Sequence, residues 1–511
     1  MRITTTSPLL LVLLLTAGCT SVPFDYPKEP SYSAPPSTDT FYGQRLEEWV
    51  EDEGPDATGS VMLIRGMDAL GSRLVMMDRA EATIDAQYFL LKPDKAGDLF
   101  LGKLLRAAER GVRVRLLLDD IFTPRNDRML AIFNSHPNIE VRLFNPVSRA
   151  SPSSWSFLWD FSRINRRMHN KAFIVDGTIA IMGGRNIAEE YFELKDQQEF
   201  DDFEMLVFGG VVPDIAASFD RFWNSSQVVP MEAIRVSDKP RRIERWLDYM
   251  DEVISGERPS PYSDAINSPF LQQILDGEIQ PYVSSAELHY DSPRKLRASR
   301  NDEEHRRLEA AIRKRLETAR EEIILITPYL VPRDLSYTLL RDARERGIRV
   351  IIITNSLAST NHVAVHSGYG PKRKGMLDAG AELYEIKVDE APPFARRGSE
   401  AERVTLHTKA IIIDGEQLFI GSLNLDPRSI EINTEVGLFI DSKEAASDYR
   451  NIIYRDLPRY TYRVELDEKG RLRWVYREEG QEEIHTSEPG ASLWRRFKAG
   501  FYRLLPIESQ L

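Results

Sequence analysis

Two stretches of this chain repeat one polar pattern in fixed register. The first reads His169-Asn-Lys171-Ala-Phe-Ile-Val-Asp176-Gly177 and continues to Gly183-Gly184-Arg-Asn186. The second reads His407-Thr-Lys409-Ala-Ile-Ile-Ile-Asp414-Gly415 and continues to Gly421-Ser422-Leu-Asn424. His169 and His407 stand 238 positions apart, and so do the paired Lys, Asp and Asn residues. Packing gives no reason to repeat basic and polar residues in register, since such groups are costly to bury without partners. The repeat therefore predicts two half-sites that meet to form one.

The duplication extends beyond these stretches. Glu81–Leu91 (EATIDAQYFLL) reads as a strand, followed by a helix and by Arg110-Gly-Val-Arg-Val114 leading into LLLDD. Glu321–Val331 (EEIILITPYLV) precedes a similar helix and Arg346-Gly-Ile-Arg-Val350 leading into IIITN. Each half thus reads strand, helix, strand, helix, strand, then the repeated pattern. Near-continuous apolar runs such as Ile351-Ile-Ile353 fit strands covered on both faces by helices. Within the pattern, His and Lys two residues apart on a strand share a face. Asp176-Gly177 and Asp414-Gly415 are hairpin turns. The small residues at Gly183-Gly184 and Gly421-Ser422 let an anion approach backbone N–H groups near a helix start. Asn186 and Asn424 add amide donors.

Composition narrows the function. Apolar residues make up 42% of 511 positions, enough for large cores, and the net charge of −12 weighs against a nucleic-acid binder. Arg2 and the short apolar run Leu9–Leu15 form a targeting segment, too short to span a bilayer. The following Leu15-Thr-Ala-Gly18-Cys19 resembles a bacterial lipoprotein signal, which implies cleavage after residue 18 and acylation of Cys19. Cys19 is the only cysteine, so no intrachain disulfide forms. Residues 19–43 are expected as the acylated cysteine and a flexible Ser/Pro/Thr-rich tether. The first half is expected over 44–230, an inter-domain connection over 231–300 with a helix at Arg241–Ile254, and the second half over 301–460. A C-terminal segment, 461–511, carries an amphipathic basic helix at Leu493–Leu505, with Trp494, Phe497 and Phe501 on one face. This helix is expected either to lie in a lipid interface or to dock on the second half. Two loops, Ser151–Phe161 and Glu390–Glu402, precede the repeated strands and are candidate binding loops.

The pattern resembles the phospholipase D superfamily, with its duplicated His-x-Lys-x4-Asp motif. The stretches MHNKAFIVDG–GGRNI and LHTKAIIIDG–GSLNLDPRS–NTEVG are most similar to bacterial cardiolipin synthases of the C-type branch. The resemblance implies an α/β fold of two homologous α-β-α sandwich halves, packed as a pseudo-dimer with one shared active site. It implies His169 as nucleophile and His407 as general acid/base, with the reverse assignment open. Its carboxylate partners are expected as Asp202 (Asp201 as an alternative) for the first histidine and Glu435 for the second. Asp176 and Asp414 are expected to hold the hairpins and the two halves together. Gly184 lacks the phosphate-contacting hydroxyl expected from Ser422. In the stretch Asn355–Lys374, His366 and Lys372 are candidate substrate contacts. His362 and His366 do not make a zincin motif, since Val363 stands where Glu is required.

The chemistry agrees with the residue types. An imidazole attacking phosphorus gives a phosphohistidine and divides one hard displacement into two. The facing imidazole protonates the departing alcohol and later deprotonates the incoming one, work worth about 10²–10⁴-fold. Lys171 and Lys409 supply positive charge to the phosphate oxygens. Neither a metal nor another cofactor is needed. Exchange of one phosphodiester for another is nearly balanced, and the acceptor sets the product. A second phosphatidylglycerol gives cardiolipin, and water gives phosphatidic acid, as in a hydrolase. The rival readings are a phospholipase D or nuclease, and a non-catalytic phospholipid-binding lipoprotein. Expected partners are phospholipid and a membrane surface, with no nucleic acid; an accessory protein stays open. The expected location is the bacterial cell envelope, lipid-anchored and facing the periplasm, with inner versus outer membrane undecided.

Overall fold

The computed structural model describes residues 22–123, 126–149, 159–194, 199–234, 248, 251–252, 255, 261–299, 305–388, 404–478 and 480–511. Cys19 and the targeting segment lie outside these residues, as do most of the expected helix at Arg241–Ile254 and nearly all of both candidate loops.

The strands of the first half are β1 (Thr58–Leu63), β2 (Thr83–Tyr88), β3 (Arg113–Asp119), β4 (Ile139–Phe144), β5 (Ala172–Val175), β6 (Ile179–Gly183), β7 (Glu199–Asp201), β8 (Glu204–Gly209) and β9 (Val228–Pro230). The connection supplies β10 (Tyr282–Ser284) and β11 (Ala286–Tyr290). Then follow β12 (Glu322–Ile326), β13 (Arg349–Asn355), β14 (Ala381–Ile386), β15 (Val404–Leu406), β16 (Ala410–Ile413), β17 (Gln417–Gly421), β18 (Val436–Ile440), β19 (Thr461–Leu466), β20 (Leu472–Glu478) and β21 (Gln481–His485).

The two large sheets share one topology. The first runs β10-β1-β8-β6-β5-β2-β3-β4-β9, and the second β11-β18-β17-β16-β12-β13-β14-β19-β20-β21. In each, three central strands are parallel, β2-β3-β4 and β12-β13-β14. The repeated motif supplies the antiparallel hairpin beside them, β5-β6 and β16-β17. Helices such as Lys95–Glu109 and Asp334–Glu345 make the crossovers that parallel strands require. The first is capped by Asp94, whose side chain accepts from Gly97 N.

One apolar core crosses between the halves. Ile174, Ala180 and Met205 of the first sheet cluster with Ile324, Ile412 and Leu438 of the second. Burial of that seam is the main force holding the halves face to face. A two-stranded parallel ladder, β7 with β15, adds backbone pairing across it.

Three expected boundaries shift. Residues 22–40 do not hang free as a tether: they lie along the first half. Ser33 N donates to Asp220, Arg115 donates to the Ser31 carbonyl, and Arg142 donates to the Glu29 carbonyl. Buried arginines in β3 and β4 need acceptors, and the strap provides them. The connection is not merely a linker, because β10 extends the first sheet and β11 borders the second. Nor does the second half stop at residue 460, since β19 pairs with β14 and carries β20 and β21 beyond it.

Candidate active site

Each histidine sits just before its strand rather than on it, at the seam between the halves. The backbone places it there. His169 N donates to the Thr434 carbonyl at 2.9 Å, and His407 N donates to the Asp201 carbonyl at 2.7 Å. Thr434 precedes Glu435, and Asp201 precedes Asp202. Each short cross-seam pairing therefore delivers a carboxylate to the other half's imidazole. His169 Nδ1 lies 2.8 Å from Glu435 Oε2, and His407 Nδ1 lies 2.6 Å from Asp202 Oδ2. The expectation that each histidine is served by its own half is thus corrected: the partners are exchanged. Asp201 contributes its carbonyl, to His407 N and Thr408 N, and not its carboxylate.

An ionised carboxylate only accepts, so Nδ1 carries the proton in each ring and Nε2 keeps its lone pair. Burial by itself raises a carboxylic acid. Glu435 nevertheless falls below its usual range, because His169, Lys171 and the Ser422 hydroxyl outweigh burial. Asp202 is lowered in the same way by Lys409 and His407. The imidazoles go down as well. Burial is the main cause for both, with the lysines adding to it. His169 is lowered, and His407 falls to about 3. Both rings are neutral at pH 7.

The lysines are buried beside their histidines. Lys171 Nζ donates to the His169 carbonyl at 2.6 Å, and Lys409 Nζ lies 3.2 Å from His407 Nε2. Burial, only partly offset by the carboxylates, brings Lys171 down to about 7 and Lys409 to about 8. Two such groups on one small site form an anion cradle. The asparagines flank it. Asn186 donates to the Tyr191 hydroxyl and accepts from Leu90 N, while Asn424 donates to Ser429 Oγ.

Asp176 and Asp414 do not join the halves. Asp176 accepts from Ala82 N and Thr83 N, and Asp414 from Arg320 N, Glu321 N and Glu322 N, all within their own halves. Both adopt positive φ, 52° and 54°, followed by Gly177 at 62° and Gly415 at 63°. That is the backbone of a two-residue hairpin turn, favoured by Asp-Gly.

Gly184 and Ser422 differ for a steric reason. A Cβ at position 184 would lie 2.2 Å from Asp202 Oδ1, so only glycine admits that carboxylate. The Ser422 hydroxyl is fully buried and donates to Glu435 Oε2. The residues after the small pair lead into single-turn helices, Glu189–Tyr191 and Arg428–Ile432, rather than a long helix.

His366 and Lys372 stand outside the site. His366 is buried against Arg373, with Nε2 2.9 Å from its guanidinium, and Lys372 bonds the Pro332 carbonyl and Glu508. Sequence reasoning missed the aromatic walls. Phe89 packs edge-on to His169, and Tyr191 and Phe200 pack on His407. One signal was available: an oxygen-bearing residue, Tyr191 or Ser429, follows each asparagine by five positions.

The comparisons with known proteins agree. The family described as "Cardiolipin synthase, PLD-like domain" matches twice, at residues 74–221 and 312–457. Cardiolipin synthase C of Escherichia coli is 36% identical over 462 residues, covering 89% of this chain and 96% of that protein. A cardiolipin synthase of Geobacillus kaustophilus is 24% identical, covering 81% of this chain and 71% of the relative. Among solved structures, phosphatidylserine synthase of Haemophilus influenzae shares the fold, with a TM-score of 0.56 and 14% identity. It covers 92% of this chain and 99% of its own. With its two motif-bearing halves closed around one seam, this chain belongs to the cardiolipin synthase family of the phospholipase D superfamily.

Proposed function

We propose that this chain is a phosphatidyltransferase that makes cardiolipin from phosphatidylglycerol and a second phospholipid, phosphatidylglycerol or phosphatidylethanolamine. The observation that carries the mechanism is the crossed pairing of His169 with Glu435 and His407 with Asp202. Neither half has a complete imidazole–carboxylate pair alone.

In the first step, His169 Nε2 attacks phosphorus and the bond to the headgroup oxygen breaks. His407 takes up a solvent proton on Nε2 as the anionic phosphate binds beside it, and gives that proton to the departing alcohol. In the second step, a phosphatidylglycerol hydroxyl loses its proton to His407, attacks phosphorus and releases His169. Lys171, Lys409, Asn186 and Asn424 steady the phosphate oxygens. The anionic phosphate offsets both ammonium groups, which restores the proton affinity that they and burial remove from His407.

The same reading places the chain at a membrane, anchored through an acylated Cys19 in the cell envelope and facing the periplasm. Among the described residues no helix is long and apolar enough to cross a bilayer. The helix Leu493–Arg503 supports surface contact. Arg495 donates to the Leu357 carbonyl of the second half and Arg496 to the Ala491 carbonyl just before the helix, while Leu493, Trp494, Phe497 and Phe501 are more than half exposed. Docking and outward display are thus combined: Arg495 ties the helix to the second half while its apolar face is exposed.

The test uses protein lacking residues 1–19, in EDTA, with vesicles of labelled phosphatidylglycerol with and without phosphatidylethanolamine. Labelled cardiolipin, absent with His169→Ala, is expected. Phosphatidic acid as the sole product would move the chain to the hydrolases. In cells, Cys19→Ser is expected to abolish incorporation of labelled palmitate into the chain.

A further inference from the structure

The second half contains a cavity of about 460 Å³ between its sheet and two of its helices, Arg307–Glu317 and Asp334–Glu345. Its volume is within the ~300–1,000 Å³ of ordinary ligand sites. Ile312, Leu325, Leu340, Ile352 and Ile411 line its interior.

The duplication shows what this space otherwise holds. Strand register matches Ile323 (paired with Val350 and Ile413) to Ile84 (paired with Val114 and Val175). The same register sets Thr327 against Tyr88, and Ile411 against Phe173. The helix-to-strand spacing sets Ser336 against Phe100. In the first half those three rings are buried and pack on one another. The first half also closes this side with the segment Pro261–Leu275, which packs on the helix Gly66–Asp78. The second half has smaller side chains at all three positions, and two of them, Ser336 and Ile411, line its cavity. Protein interiors do not keep apolar space of this size empty without penalty.

Three observations bear on the occupant. The mouth carries Arg306, Arg313, Arg333 and Arg346, but carboxylates such as Glu309 and Glu431 offset them, so the rim does not select an anion. Leu423 and Leu425, on either side of Asn424, form part of the wall, which puts the cavity directly behind the site. Pro332, on its edge, is bonded by Lys372, which also pairs with Glu508 just past the exposed apolar helix. We propose that this cavity holds a fatty acyl chain of a phospholipid drawn from the membrane, with the headgroup outside. The proposal rests on the phospholipid reading of the active site.

The experiment uses the full chain on phosphatidylglycerol vesicles that carry a diazirine either at the acyl terminus or next to the headgroup. Label from the chain-end probe is expected in the peptides spanning 306–317 and 334–346, with at least a tenfold excess over the headgroup probe. Ser336→Phe and Leu339→Trp, which fill the cavity from one helix, should each cut that labelling at least fivefold. Turnover of a water-soluble short-chain phosphodiester should stay within about twofold. Absence of chain-end label from these peptides in the unaltered protein would overturn the proposal, and so would labelling indifferent to both substitutions. Loss of short-chain turnover in the unaltered protein would instead count against the active-site reading, independently of where the label falls.

Discussion

His407 and Asp202 meet at 2.6 Å across the seam, although 205 residues separate them and they belong to different halves. The pairing follows from one backbone contact, His407 N to the Asp201 carbonyl, which puts the next residue's carboxylate under the ring. His169 repeats the arrangement with Thr434 and Glu435. A pseudo-dimer built this way cannot be active as separated halves, because each imidazole would lose the group that fixes its tautomer.

Removing a carboxylate charge while keeping its shape isolates that role. Asp202→Asn and Glu435→Gln are expected to lower kcat by about 10²–10⁴-fold with folding retained. Steady-state turnover alongside the far-ultraviolet circular dichroism spectrum checks this. Near-normal activity in either variant would contradict the orienting role.

Gly184→Ala pushes a methyl group onto Asp202 Oδ1. Activity should fall by about 10²-fold or more while unfolding midpoints move modestly, since the displaced carboxylate no longer reaches His407. Ser422→Ala, which removes a donor to Glu435, should cost about 1 kcal/mol of stability and act on the His169 half-reaction. Urea unfolding together with single-turnover kinetics separates the two effects.

The lysines give a pH signature. Lys171 titrates at about 7 when folded against an ordinary 10.5, so the unfolded chain binds more protons between these values. Stability from this group therefore rises with pH from about 7 toward 10.5, and its burial penalty is full below 7. Lys171→Met should therefore be better tolerated at pH 6 than at pH 10, relative to the unaltered chain, and should abolish turnover. The same titration predicts that sulfate binding weakens from pH 6 to pH 9 and takes up protons near pH 8, where Lys409 also titrates. Calorimetry in buffers of different ionisation enthalpy reads the protons directly.

Asp414 is structural on this account. Asp414→Ala leaves three backbone N–H groups without their acceptor and should destabilise the second half by about 1–3 kcal/mol. The activity of the folded fraction should be little changed. A kcat loss per folded molecule above tenfold would show that the turn also shapes the site.

The apolar face of Leu493–Arg503 predicts a binding defect separate from chemistry. Trp494→Glu with Phe497→Glu should weaken vesicle binding by tenfold or more in protein lacking residues 1–19, while a water-soluble phosphodiester is still turned over. Co-sedimentation measures the first and a coupled assay the second. Unchanged sedimentation would remove the helix from the membrane contact.

Much of this arrangement was legible in the sequence because duplication doubles a weak signal. The motif register, the Asp-Gly turns and the apolar runs of β12 and β13 each appear twice or carry strong periodicity. What was not legible depends on contacts between the halves. No local pattern says that Asp202 serves His407 rather than His169, since that choice is made at the seam by a ladder of three residue pairs and the His407 N to Asp201 carbonyl bond that follows it. The bond from Ser422 to Glu435 was not legible either, because the two stand thirteen residues apart in sequence. The strap at residues 22–40 read as a tether because its Ser/Pro composition is that of a linker. Its order comes from Arg115 and Arg142 in other strands, whose need for acceptors is invisible locally.

The most direct test of the crossed site uses His407→Ala with a nitrophenyl phosphodiester, whose leaving group needs no general acid. One equivalent of nitrophenolate per chain should appear in a burst, and alkaline quench with mass spectrometry should place the adduct on His169. Adding Glu435→Gln should suppress the burst, and adding Asp202→Asn should not. An adduct on His407 in the complementary His169→Ala protein, or a burst lost with Asp202→Asn and kept with Glu435→Gln, would contradict the assignment.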